Sequence, residues 1–174
     1  MSGEPAIPPR RPLIRALGQL LDRPPFARWP AVRNIHDRYI VTHRLRRALS
    51  YRPDIAHPRT YNEKLAWRML HDHNPLIALT TDKLAVRSYV RDRVGADILV
   101  PVLGTYRRAA DIDWTSLPQQ FVLKANHGCG MNLIVWDKDA ENEDAVRQLA
   151  DGWLDFNFYE ESREWGYRNI PRRL

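Results

Sequence analysis

The residues best suited to chemistry lie in one run, Phe121-Val122-Leu123-Lys124-Ala125-Asn126-His127-Gly128-Cys129-Gly130-Met131-Asn132. In a strand, side chains alternate between faces, so Val122 and Lys124 share one face and Phe121 and Leu123 the other. The pair Phe121 and Leu123 suits a core. Lys124 then stands at the strand end, over a cleft and beside a flexible link. Gly128 and Gly130 let the backbone approach a ligand closely and present N–H donors. Asn126, His127 and Asn132 add polar contacts, and Cys129 lies between the glycines. A lysine followed by a glycine loop that folds over it is a phosphate-holding design. It differs from the Walker order, in which the glycines precede the lysine and a helix follows. An ordinary β-hairpin with a glycine turn and a surface lysine would read the same way.

A second lysine supports the first reading. The chain holds 23 Arg but only four Lys, at positions 64, 83, 124 and 138. Lysine is a compact point charge on a flexible stem, and arginine substitutes poorly where one ammonium must reach a phosphate oxygen. Thr81-Asp82-Lys83 lies 41 residues before Lys124 and reads as a helix start, with Lys83 in the first turn. A cation there is unfavourable against the helix dipole by about 0.3–1 kcal/mol. An anion between the ammonium and the helix start would reverse that cost. A solvent-exposed lysine paired with Asp82 is the plainer alternative.

Other clusters are weaker. His71-Asp72-His73 has metal-ligand residue types, but positions i and i+2 of a helix point apart, which favours a solvated surface. Cys129 has no evident base beside it. His127 suits a phosphate contact and a turn filler equally. Glu160, Glu161 and Glu164 fit a charged helix end better than a metal site. Trp153, Phe156 and Phe158 fit a core. No metal site and no catalytic residue is assigned.

The elements that must position these residues follow from periodicity and punctuation. Leu13, Ile14, Leu17, Leu20 and Leu21 recur at helical spacing after Pro12. A second helix is expected over about 34–50, with Ile35, Tyr39, Thr42, Leu45 and Leu49 along one side. Thr60-Tyr61-Asn62-Glu63 has the form of a capping box. It should open a helix that buries Leu65, Ala66, Met69 and Leu70. The helix after Thr81-Asp82 should turn Val86, Tyr89, Val90 and Val94 inward and end at Gly95. Residues 98–105 read as a strand, with Pro101 arguing for an edge position. Gln120 to Lys124 and Met131 to Trp136 form a hairpin. Ala145, Val146, Leu149, Ala150, Trp153 and Leu154 mark an amphipathic helix.

The bulk numbers agree with one ordinary soluble domain. Of 174 residues, 44% are hydrophobic and 28% charged, which argues against wholesale disorder. The first residues are no secretory signal, since Arg15, Asp22 and Arg23 interrupt the apolar stretch. The single cysteine excludes an intrachain disulfide and fits a reducing cytosol. Residues 1–60 hold 12 Arg against four acids, a balance of +8, while the rest hold 15 bases against 17 acids, a balance of −2. The basic excess belongs to the N-terminal part. It suits an anionic membrane, an acidic carbohydrate or a nucleic acid, or is simply a solvated helical surface.

Many short motifs, in order, carry a resemblance. They are His57-Pro58-Arg59-Thr60-Tyr61-Asn62-Glu63-Lys64-Leu65 with Trp67, then Thr81-Asp82-Lys83, Val86-Arg87-Ser88-Tyr89-Val90 and Val100-Pro101-Val102-Leu103-Gly104. Asp111-Ile112-Asp113, Leu117-Pro118 and the run from Phe121 to Gly130 complete the series. Over roughly residues 55–174 the chain resembles the TupA-like ATP-grasp family of cell-surface polysaccharide biosynthesis proteins. The resemblance implies an α+β fold, with a basic helical extension over residues 1–54. A partial ATP-grasp domain then follows over 55–174, a small antiparallel sheet with flanking helices. It implies ATP as ligand, with Lys83 and Lys124 on its phosphates and Asn126, His127, Gly128, Cys129 and Gly130 forming the loop above them. Ala125 stands where members often carry proline, and Cys129 where they often carry serine; neither removes a backbone donor. Mg²⁺ ligands and the adenine-reading strand are expected beyond residue 174, so the chain is expected to be a fragment, inactive alone. The implied activity is carboxylate–amine ligation on a saccharide or carboxylate substrate. The implied setting is the cytoplasm, with a peripheral contact to the inner membrane face through the basic N-terminus and no nucleic acid. A glycosyltransferase-type enzyme, for which Asp111-Ile112-Asp113 has the metal-pair form, and a non-enzymatic basic module are the alternatives.

Overall fold

The computed structural model describes residues 30–174. The helix expected over residues 13–21 falls outside the described residues, as does part of the basic excess. Among the described residues four α-helices come first: α1 (Pro30–Ala48), α2 (Tyr61–His71), α3 (Pro75–Thr81) and α4 (Val86–Val94). After an extended stretch come strands β1 (Phe121–Lys124) and β2 (Asn132–Val135), then α5 (Glu143–Asp155) and α6 (Phe158–Ser162). The fold is α+β, with one antiparallel two-stranded sheet among the described residues. The register pairs Phe121 with Val135, Val122 with Ile134, Leu123 with Leu133, and Lys124 with Asn132.

A lone hairpin is marginal in water, so this one needs a partner layer. Phe121, Leu123, Ala125, Met131 and Val135 form one core with Val146, Ala150 and Trp153 of α5. The alternation of β1 is as expected, Phe121 and Leu123 buried and Val122 and Lys124 exposed. Asn142 caps α5 through its side chain, and Glu143 and Asp144 complement the dipole in the first turn. The last residues add an outer layer. Tyr106 and Leu174 exchange backbone hydrogen bonds of 3.1 and 2.9 Å, and the Asn126 N–H donates to the Arg173 carbonyl at 3.0 Å.

The capping box at α2 forms as the sequence predicts, with Thr60 and Glu63 satisfying each other's backbone donors. Glu63 does more than close a box. Its carboxylate accepts the N–H groups of Asp54, Arg59 and Thr60, each at 2.9 Å. These hydrogen bonds, that of Thr60 foremost, pull its pKa down to about 2 against a smaller opposing effect of burial. The folded value lies below the unfolded one. The stabilisation is therefore full above the ordinary glutamate pKa near 4.5 and fades as pH falls toward about 2. Acid unfolding of Glu63→Gln is expected to lose part of its pH dependence in that window. An unchanged pH–stability curve would count against the role.

Four expectations need correction. Residues 98–105 form no strand. Pro101 has no N–H, the Val100 carbonyl is taken by the Arg87 side chain at 2.8 Å, and pairing begins only at Tyr106. The helix following Asp82 begins at Val86, so Lys83 lies in a turn rather than a first helical turn. The buried side of α1 is also different. Ile35 and Tyr39 are 70% and 63% exposed, while Arg33, His36, Asp37, Ile40 and Val41 are buried. A polar contact selected that face. The Asp37 carboxylate accepts from the Tyr159 hydroxyl and, at 3.1 Å, from Arg163 Nη1. Leu65 and Val94, expected inside, are likewise exposed. Val41 packs with Ile55 and Ala66 in a second, smaller core.

Candidate functional site

The site is built around Asn126. Its side-chain Nδ2 donates to Asp82 Oδ1 and to the Pro171 carbonyl, both at 2.9 Å, and its Oδ1 accepts the Arg173 N–H at 2.8 Å. Its carbonyl accepts the Lys83 N–H at 3.2 Å. One buried amide thus joins the hairpin loop, the turn after α3 and the C-terminal segment. Asp82 holds the turn's shape, since its Oδ1 also accepts the N–H groups of Leu84 at 2.9 Å and Ala85 at 3.3 Å. The Asp82 carbonyl accepts the Val86 N–H at 2.9 Å, so the turn runs directly into α4. This is why Lys83 emerges against the hairpin.

The Lys83 ammonium donates to the carbonyl of Gly128. Burial pushes its pKa below the ordinary lysine value. The nearby Cys129 opposes that, Lys124 adds to the depression, and Asp82 opposes it. The two lysines are thus close enough to feel each other, although 41 residues separate them. Lys124 ends β1 on the exposed face, opposite Asn132. The Lys83 ammonium meets a glycine carbonyl of the hairpin loop, and the Lys124 charge acts on it. A polyanion there would relieve their repulsion and gain charge-assisted hydrogen bonds of about 1.5–3 kcal/mol each.

The loop residues divide the work. The Ala125 N–H donates to the Met131 carbonyl at 3.0 Å and closes the loop. Gly128 is buried, and a Cβ there would lie 2.0 Å from Met131 Cε and 3.0 Å from the Phe158 ring. Met131 can swing away, but Phe158 is braced by Tyr167 at a 4.5 Å centroid distance. Gly130 has open space around it and a φ of +73°, so its constraint is backbone conformation. Cys129 is exposed between them. His127 is buried, with Nε2 3.0 Å from the Trp153 carbonyl and Nδ1 3.2 Å from Asn126 Oδ1. Burial lowers its pKa, the Trp153 and Phe156 carbonyls oppose that, and the Arg172 and Lys83 charges add to it. A ring held neutral in this way anchors the loop to α5 from beneath.

The remaining candidates are occupied elsewhere. Asp111 pairs with Arg108, and Asp113 caps the turn at Thr115, so the Asp-x-Asp pattern serves local structure. His71 stacks on Trp67 and His73 on Trp165, while Asp72 pairs with Arg68 at 2.9 Å. No group of three or more His, Cys, Asp or Glu side chains able to hold a metal occurs among the described residues. Asp82, bonded to the hairpin loop through Asn126, already accepts three hydrogen bonds. The described residues therefore do not fit a Mg²⁺ site. No described helix is long and apolar enough to cross a membrane.

Sequence reasoning missed the ties that make the site. It read Asp82 as a cap but not as the partner of Asn126, and gave Arg173 and Pro171 no role. Nothing local to these residues signals a contact 44 to 47 positions away.

No curated protein and no solved structure matches the chain. Residues 63–174, which are 112 of the 174, match the family described as TupA-like ATPgrasp. The matched region contains both lysines, the glycine loop and the C-terminal segment that braces it, and the chain belongs to the TupA-like ATP-grasp family.

Proposed function

We propose that this chain holds the phosphates of ATP between Lys83, Lys124 and the loop from Asn126 to Gly130. It would do so as the ATP-binding part of a carboxylate–amine ligase in cell-surface polysaccharide biosynthesis. The observation that supports the reading is the Lys83 ammonium reaching across to the Gly128 carbonyl, in the loop that follows Lys124. In this reading residues 55–174 form the nucleotide-binding domain and residues 1–54 a basic extension touching the membrane surface. Asn126 and His127 position the loop, while the backbone of Gly128, Cys129 and Gly130 faces the phosphates. The acceptor is a saccharide or another carboxylate.

Calorimetric titration with ATP, with and without Mg²⁺, tests the assignment. ATP should bind saturably, and Lys124→Ala should weaken it by about tenfold, as expected for one charged hydrogen bond at an exposed site. Lys124 is exposed, so the variant should fold normally. Equal affinity in the variant, or binding of a UDP-sugar in place of ATP, would overturn the reading.

A further inference from the structure

Helix α1 carries five arginines and one acid, Asp37. Asp37 is buried and paired with Arg163, so its charge is neutralised inside the protein. The arginines are not equivalent. Arg33 is buried, and Arg44 is paired with Glu161. Arg38, Arg46 and Arg47 are exposed and enter no ion pair among the described residues.

The helical turn sorts these residues by side. Ile35, Arg38, Tyr39, Thr42 and Arg46 fall within an arc of about 100°, and Arg44 lies opposite. Ile35 and Tyr39, left outside by the Asp37 contact, form the middle of this face and are largely exposed. Thr42 lies beside them, and its hydroxyl donates back to the Arg38 carbonyl at 2.7 Å. The centre of the face can therefore lose water without leaving that hydroxyl unmet. Ile35 and Arg38 also line a cleft with Trp165 and Arg168, so apolar surface and positive charge continue past the helix.

Arginines alone would serve a nucleic acid or an acidic polysaccharide, whose anionic groups lie in water. Such a partner gives Ile35 nothing apolar to enter. A bilayer surface offers anionic headgroups with acyl chains directly beneath. Tyrosine, with an apolar ring and a polar tip, suits that boundary.

We propose that this face of α1 rests on an anionic lipid bilayer, with Ile35 and Tyr39 entering the boundary between headgroups and acyl chains. Arg38, Arg46 and, at the helix end, Arg47 face the lipid phosphates and carboxylates. The proposal narrows the membrane contact of the preceding section to one helix face; it rests on that contact and not on ATP binding. Each arginine near such a surface strengthens binding by about fivefold, on the order of a hundredfold for three. The attachment is peripheral and reversible, and salt weakens it.

Co-sedimentation of the whole chain with vesicles tests the face. Vesicles of phosphatidylserine and phosphatidylcholine in equal parts should bind it saturably, and phosphatidylcholine alone only weakly. Arg38→Gln/Arg46→Gln should weaken binding by about 25-fold. Ile35→Gln/Tyr39→Gln, which keeps every charge, should weaken it by about tenfold. All of these positions are exposed, so both variants should fold. Lys124→Ala should leave vesicle binding intact. Three results would overturn the proposal. Failure to bind the mixed vesicles would end the membrane contact altogether. Undiminished binding by Ile35→Gln/Tyr39→Gln would keep a membrane contact but remove it from this face. Tighter binding to a DNA duplex or to heparin, retained in that same variant, would make the face a site for a soluble polyanion.

Discussion

Asp37→Ala is expected to lower the free energy of unfolding by about 3–5 kcal/mol, the usual cost of removing one partner of a buried ion pair. The carboxylate and the guanidinium of Arg163 are 10% and 2% exposed, so solvent does little to compensate either. Asp37 also accepts from the Tyr159 hydroxyl. Burial and then this carboxylate hold that phenol's pKa well above the tyrosine range, so Tyr159 remains a donor at any ordinary pH. Alanine leaves a cation and a hydroxyl unmet at the joint where α1 docks. The intact pair need not be strongly stabilising, because both charges were desolvated to form it. The double variant Asp37→Ala/Arg163→Met should therefore recover much of the loss. Urea unfolding of the three proteins checks this. A loss below about 1 kcal/mol in Asp37→Ala would mean the pair is effectively solvated.

Asn126→Ala should cost about 2–4 kcal/mol, since it removes three buried hydrogen bonds and leaves their partners exposed to an apolar gap. If the hairpin holds ATP, the same change should weaken ATP binding while both lysines remain, because the turn carrying Lys83 loses its tie to the loop. Asn126→Asp provides a sharper test. It puts a second carboxylate 2.9 Å from Asp82, and like charges at that distance resist joint ionisation. The aspartate variant should be less stable than the alanine variant at neutral pH. Its deficit should shrink as pH falls through the carboxylate range and one proton is shared. A deficit that does not change with pH would rule out that contact.

What could be read from the sequence, and what could not, divides along the range of the forces. The capping box at Thr60 and Glu63, the alternation in β1 and the amphipathic stripe of α5 are local patterns, and all three appear as read. The candidate lysines were singled out by rarity and family resemblance, and the fold carries Lys83 to the carbonyl of Gly128. The buried side of α1 could not be read. Ile35 and Tyr39 look like the inward residues by hydropathy. The actual face is chosen by Asp37, whose partners are more than 120 positions away. The same holds for Asn126, an unremarkable loop amide until the C-terminal segment lies beside it. Residues 98–105 misled for the converse reason. Apolar, β-branched sequence satisfies a strand's preferences but supplies no neighbour to pair with.

If the hairpin holds ATP, Lys83 meets the phosphates with one of its three ammonium protons already given to the Gly128 carbonyl. The other two protons are left for phosphate oxygens, so one side chain would pin the loop and grip the anion at once. Occupancy would then stiffen the loop rather than release it.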